Sequence, residues 1–260
     1  MTTSQKIDPR VATLLAAEAE RREIDRIDPD GALSEDEAYG LQFQLIDARV
    51  AQGDQVIGLK TGLTSQAKQA TMGVHQPIFG HVLASTVIPE GEPVKCGELI
   101  HPRAEPELAF LLQDDLNGYV TAAQACAATS LVFPAVEIID SRFANFKFGF
   151  GDVIADNTSA ARVIFGSAGI GPTEIDLRLI GMVYTKNGIV ESTAAGAAIL
   201  GNPWEALAWL ARRASQLGRP LRAGQMVLAG ALADAVFVNP GDSVRVEFDK
   251  LGALGVHFVE

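Results

Sequence analysis

The chain has 260 residues and a formal net charge of −11 at neutral pH, a length that suits one large domain or a main domain with a smaller one attached. Apolar residues make up 48% and charged residues 20%, a globular balance with ample core material. The acidic balance argues against nucleic acid as a partner, and no apolar run reaches the length of a membrane span, so neither nucleic acid nor membrane is expected.

The N-terminus, MTTSQKIDPR, has no apolar h-region, so no secretory signal is expected. With Cys96 and Cys126 as the only cysteines, reduced thiols and a cytoplasmic location are expected. Residues 9 to 53 read as helical. Val11, Leu14, Leu15 and Ala19 share one face at helical spacing. Ser34 caps a second helix, Glu37 completes a capping box, and Ala38, Leu41, Leu45 and Ile46 follow as its apolar face.

The texture then changes. Residues 55 to 60, ending at Lys60, form a short strand candidate punctuated by glycine. From residue 86 onward strands are predicted at TVIP, ELAFLL, SLVFPAVEII, GMVYTKNGIVE and SVRVEF. Asn187-Gly188 is a two-residue hairpin signal, and Asp249 to Gly252 turn a last hairpin into LGVHFVE. One helix interrupts this region, with Asn202 as N-cap, Pro203 at the first helical position and Gly218 at the end. The division expected is a mainly helical region over 1–85 and a β-rich, metal-binding catalytic domain over 86–260.

The segment His101-Pro-Arg-Ala-Glu105-Pro-Glu107 carries the most chemistry. Side chains alternate across a strand, so Glu105 and Glu107 share a face. Like charges so placed repel unless a cation sits between them. A third carboxylate, Glu137, lies inside an apolar run, and a buried ionised carboxylate is costly unless paired or metal-bound. Three oxygen donors without nearby sulfur suit a hard cation, Mg²⁺ or Mn²⁺. The alternative is a solvated strand face for Glu105 and Glu107, with Glu137 paired to Arg142. Pro106 weakens that alternative, because proline is rare inside central strands.

Lys60 stands among apolar residues and glycines. Its ammonium needs a carboxylate or a ligand, or reaches water from an edge strand. The polar stretch from Glu137 to Arg162 mixes turn residues, aromatics and charges without periodicity, as an active-site wall does. Asp140, Arg142 and Asp156 within it read as structural turn formers and ion pairs. His75, His81, His101 and His257 show no metal-ligand spacing, although His101 could support the carboxylates from behind.

Several segments together resemble one family. They are GLKTGLTS (58 to 65), MGVHQPIFG (72 to 80), HPRAEPELAF (101 to 110), PAVEIIDSRFANFKF (134 to 148), ADNTSAAR (155 to 162), KNGIVE (186 to 191) and the C-terminal PGDSVRVEF and LGALGVHFVE. In that order they are similar to the hydratase/decarboxylase family of aromatic meta-cleavage pathways, within the wider fumarylacetoacetate hydrolase fold. The resemblance implies an α+β fold with a curled mixed β-sheet core behind an N-terminal helical region. It also implies a metal held by Glu105, Glu107 and Glu137, and a catalytic Lys60.

The family has a hydratase branch and a decarboxylase branch. Hydratases commonly carry Asp where this chain has Ile78, and a D-W-K-I-K segment where it has Asn145-Phe146-Lys147-Phe148. Ile78, the Lys147 segment and Ser159 to Arg162 look like the decarboxylase branch. Water addition needs a group that handles a proton, and isoleucine cannot do so. The expected activity is therefore metal-dependent loss of CO₂ from 2-oxo-3-hexenedioate, a small 2-oxo dicarboxylate. Ile78, Lys147, Ser159 and Arg162 are the expected substrate contacts, with Arg162 or Lys147 orienting the second carboxylate. Hydration of 2-hydroxypenta-2,4-dienoate and hydrolysis of an acylpyruvate C–C bond are the alternatives. The resemblance further implies a homo-oligomer and association with the partner hydratase.

Overall fold

The computed structural model describes residues 7–65, 69–70 and 73–260; Met72 of the 72-to-80 segment and the first six residues of the N-terminal segment lie outside them. Helix α1 (Pro9–Glu20) starts at Asp8, whose side chain accepts from the Arg10 amide, and it buries Val11, Leu14 and Ala17. Of the two others expected on that face, Leu15 is only half-buried and Ala19 is exposed; Ala17 is buried in their place. Helix α2 (Glu35–Ala51) has the expected reciprocal capping box between Ser34 and Glu37, and it buries Ala38, Leu41, Leu45 and Ile46. The helical stretch expected over 9 to 53 is thus two helices, with α1 ending at Arg21 in the left-handed conformation. Their apolar faces close a small core with Ile24, Leu83, Phe143 and Ala155.

The strands are β1 (Val56–Gly62), β2 (Ile78–Leu83), β3 (Val94–Lys95), β4 (Arg103–Leu112), β5 (Thr129–Ile139), β6 (Ala160–Phe165), β7 (Gly181–Lys186), β8 (Ile189–Ala195), β9 (Met226–Ala231), β10 (Val236–Phe237), β11 (Ser243–Phe248) and β12 (Gly252–Val259). The helices α3 (Ala122–Ala127), α4 (Phe150–Ala155) and α5 (Pro203–Gln216) complete the chain. The larger sheet runs β2-β1-β9-β4-β5-β6, with β10 on β4. The smaller runs β3-β12-β11-β7-β8. Both are mixed: β1 pairs parallel with β9 and β12 with β3, while β4 and β5 are antiparallel. This is the expected α+β architecture.

Three local expectations change. The boundary at residue 85 does not divide the sheet, because β1 and β2 precede it and pair within the larger sheet. TVIP is not a strand: Ala84–Thr86 form a 3₁₀ turn, Val87 makes one bridge to Val163, and Pro89 has no N–H for a ladder. Pro106 does lie in a central strand, beside a β4–β9 ladder whose register shifts between Glu107 and Ala109. The Asn187-Gly188 turn closes β7 onto β8 with φ of 52° and 79°, the positive pair that a two-residue hairpin needs. At Gly58 the β1–β9 approach leaves no room for a side chain, since a Cβ there would lie 1.7 Å from the Met226 carbonyl oxygen.

Candidate metal centre

Glu105 and Glu107 project from β4, and Glu137 stands directly opposite Glu105 on β5. One carboxylate oxygen from each lies within 4.8 Å of the others. Lys60 reaches them from β1, which is three strand positions from β5. In a flat sheet that separation would be about 14 Å. The sheet's curl closes the gap, and Lys60 Nζ lies 2.5 Å from Glu137 Oε1. Lys60 also donates to the Thr158 carbonyl at 3.0 Å. Exposure falls to 3% at Lys60, 8% at Glu105, 1% at Glu107 and 2% at Glu137, so water does little to screen these charges.

Among the described residues, Lys60 is the one ammonium paired within the cluster, on Glu137. Glu107 Oε2 accepts from the Gly230 amide at 2.8 Å, while Glu137 Oε2 is buried with no hydrogen-bond partner among the described residues. Burial, then the neighbouring charge of Glu137, pushes the Glu107 pKa well above the carboxylate range. Burial also raises that of Glu137, against the pull of Lys60. An all-oxygen set with an oxygen unpartnered among the described residues, and with carboxyls whose charge burial disfavours, fits a hard divalent ion. The solvated-face alternative fails because Glu105 and Glu107 are buried. The Glu137–Arg142 pairing fails because Arg142 pairs with Asp156 instead.

The cluster opens onto a cavity of about 450 Å³ lined in part by Lys60, Ile78, Glu105, Thr158 and Ser159. Phe146, Phe148, Ile139 and Val153 make its apolar wall. Of the expected substrate contacts, Ile78 and Ser159 are present. Lys147 is exposed and does not line this cavity. Arg162 lines a different one, where it donates to the Ala161 carbonyl and to Glu98. His101 is bonded to Glu23 and the Ser141 carbonyl, not to the carboxylates, and His75 lies on another cavity.

The wall at 157–159 is unusual in its backbone. Asn157, Thr158 and Ser159 all have positive φ, 48°, 52° and 57°, a run that persists only where surrounding contacts impose it. The Asn157 side chain supplies two of them, accepting from the His81 amide at 2.7 Å and donating to its carbonyl at 2.9 Å. Gly80 is required beneath it, since a Cβ there would lie 2.4 Å from Thr158 Oγ1. The result aims the Thr158 carbonyl at Lys60 and leaves both Thr158 Oγ1 and Ser159 Oγ buried without partners among the described residues.

One cavity residue escaped the reading of the sequence. Arg103 shares the strand face of Glu105 and Glu107 and lines the same cavity. Its signal was that parity alone, and the aromatic residues that hold it come from distant segments.

The family model described as "Fumarylacetoacetate (FAA) hydrolase C-terminal" matches residues 55–259. A 4-oxalocrotonate decarboxylase of Pseudomonas sp. (strain CF600) is 40% identical over 224 residues, which cover 86% of this chain and 85% of the relative. A 2-keto-4-pentenoate hydratase of Burkholderia vietnamiensis is 41% identical over 224 residues, covering 86% of each. The solved structure of a 4-oxalocrotonate decarboxylase from Pseudomonas putida G7, complexed with magnesium and adipate, superposes with a TM-score of 0.94 at 36% identity, covering 100% of this chain and 99% of that one. Identity alone does not separate decarboxylase from hydratase.

Proposed function

The chain belongs to the fumarylacetoacetate hydrolase family, and on that premise we propose that it is a magnesium-dependent decarboxylase converting 2-oxo-3-hexenedioate to CO₂ and 2-hydroxypenta-2,4-dienoate. The observation that carries this reading is the buried cluster of Glu105, Glu107 and Glu137, three oxygen ligands close together and open to a cavity. Those three residues would hold the ion, Mg²⁺ or Mn²⁺. A divalent cation there supplies Lewis-acid polarisation of a 2-oxo group and offsets the charge that develops on it. The likeness to a decarboxylase complexed with magnesium and adipate, a six-carbon dicarboxylate, supports both the ion and the substrate class.

The chain's own residues do the rest. Lys60 has three N–H donors; two serve Glu137 and Thr158, which leaves one for a ligand in the cavity that Lys60 lines. As the C5–C6 bond breaks, its electron pair forms C4=C5, the C3=C4 pair moves to C2=C3, and the carbonyl pair settles on the C2 oxygen. Lys60 stabilises that oxygen and manages its proton. Ile78, 2% exposed, and the phenylalanine wall keep water from the departing carboxylate, which favours loss of its charge. Position 78 offers no titratable group to activate water, which disfavours hydration.

The reading includes a cytoplasmic homo-oligomer that associates with a hydratase, since its product is a hydratase substrate by chemistry. Two free cysteines support a reducing compartment, and no helix among the described residues is long and apolar enough to cross a membrane. The test is to supply 2-oxo-3-hexenedioate with and without Mg²⁺ and measure CO₂. Release that requires the ion is expected. Efficient water addition to 2-hydroxypenta-2,4-dienoate without CO₂ release from the dicarboxylate would hand the case to the hydratase.

A further inference from the structure

We propose that Arg103, not Arg162 or Lys147, binds the substrate's second carboxylate, the one the metal centre does not hold. The inference rests on the decarboxylase reading and deepens it. Arg103 is the guanidinium that lines the Lys60 cavity. It lies between two rings, 3.9 Å from the centroid of Phe146 and 4.0 Å from that of Phe237. Phe237 stands directly opposite it on β10. Phe146 comes from the turn after β5, at a positive φ of 55°.

The two rings, set at 81° to each other, pack against the guanidinium from two sides and supply it with no acceptor. Arginine in a folded protein normally finds a carboxylate, yet the Arg103 side chain forms no hydrogen bond or ion pair among the described residues, and its Nε is buried without a partner there. The other cavity-facing cation, Lys60, is committed to Glu137 and Thr158. Arg162 is committed to Glu98. Arg103 is thus a charged fork, packed against two rings, with no carboxylate bonded to it among the described residues.

Its placement suits a short dicarboxylate. Arg103 is two residues from Glu105 along β4 and on the same face, a displacement of about 7 Å. A six-carbon diacid gripped by the metal centre at its 2-oxo end presents its far carboxylate over that distance. The apolar wall between them, Ile139 and Phe148, matches the carbon chain. The contact belongs to the ground state, because the far carboxylate departs as neutral CO₂. Arg103 therefore governs which acid binds more than how fast the bond breaks.

The test is calorimetric binding of two probes to the Mg²⁺-loaded protein: oxalate, which has only a chelating end, and adipate, which spans the cavity. Arg103→Met, which keeps an apolar stem between the rings, should weaken adipate about tenfold to a hundredfold and leave oxalate unchanged. KM for 2-oxo-3-hexenedioate should rise by a similar factor with kcat within a few-fold, and Arg103→Lys should recover only part of the loss. Equal weakening of oxalate and adipate, or of neither, would overturn the proposal. Failure of oxalate to bind the wild-type protein with Mg²⁺ would instead overturn the metal reading beneath it. Adipate binding restored in Arg103→Lys to the wild-type level would show that any cation serves and overturn the role of the guanidinium fork.

Discussion

Two buried ionic clusters flank the end of β5, and they are built on opposite terms. Around Arg142 every charge is answered. Asp156 pairs with its guanidinium, the Arg142 Nη2 donates to the Asp156 carbonyl at 2.5 Å, and Asp140 accepts from the Ile100 and His101 amides, both at 2.8 Å. Three residues upstream of Asp140, Glu137 pairs with Lys60, lies beside two further carboxylates and, among the described residues, leaves an oxygen unpartnered. Buried polar groups are normally satisfied. The satisfied cluster ties the 140–162 wall in place, and the unsatisfied one is left for a ligand to complete. The contrast separates structural charge from functional charge where burial alone does not.

The largest effects should separate the clusters by kind. Glu107→Gln should bring turnover to background and abolish Mg²⁺ binding, while the metal-free fold keeps its stability, since a repelling charge has been removed. Arg142→Ala should do the opposite. It strands Asp156, whose pKa burial already pushes up to about 6 despite its partner, and should cost about 3–5 kcal/mol of stability in denaturant unfolding. Equal loss of stability in both variants would erase the distinction.

Lys60→Ala sharpens the comparison from the other side. It removes the ammonium paired with Glu137, so Mg²⁺ should still bind while kcat falls by about 10²–10⁴-fold. Near-normal turnover in a folded variant would show that Lys60 is structural. A smaller change is expected from Ile78→Asp, which sets a charge beside the departing carboxylate. CO₂ release should slow by about tenfold or more, and any slow hydration gained would mark position 78 as the branch point.

The smallest effect is a pH dependence. The raised pKa of Glu107 means that the metal-free folded protein binds more protons than the unfolded chain, so its stability falls as pH rises from about 4.5 through that raised value. Cation binding expels the proton. The rise in Tm caused by saturating Mg²⁺ should therefore grow with pH over that window; a shift independent of pH would mean that Glu107 is already ionised without the ion.

Much of this was legible in the sequence because it is local. Ser34 with Glu37, Asn187-Gly188 and Asn202-Pro203 each act over a few residues, and the parity of Glu105 and Glu107 follows from the strand. The burial of Glu137 could be read from its apolar neighbours. What could not be read depends on the sheet's curl and order. The contact of Lys60 with Glu137 crosses three strand positions. Arg162 is the arginine expected at the second carboxylate, but β6 turns it toward Glu98. The rings that hold Arg103, Phe146 and Phe237, are 91 residues apart in number and meet only because β10 pairs with β4.

The central claim is that the unsatisfied cluster is a divalent-metal site, and equilibrium Mn²⁺ or Mg²⁺ binding to the metal-free protein tests it most directly. The account predicts one ion per chain in the wild-type protein and none in the folded Glu105→Gln, Glu107→Gln, Glu137→Gln triple variant. Full occupancy in the triple variant, or no binding by the wild type, would contradict it.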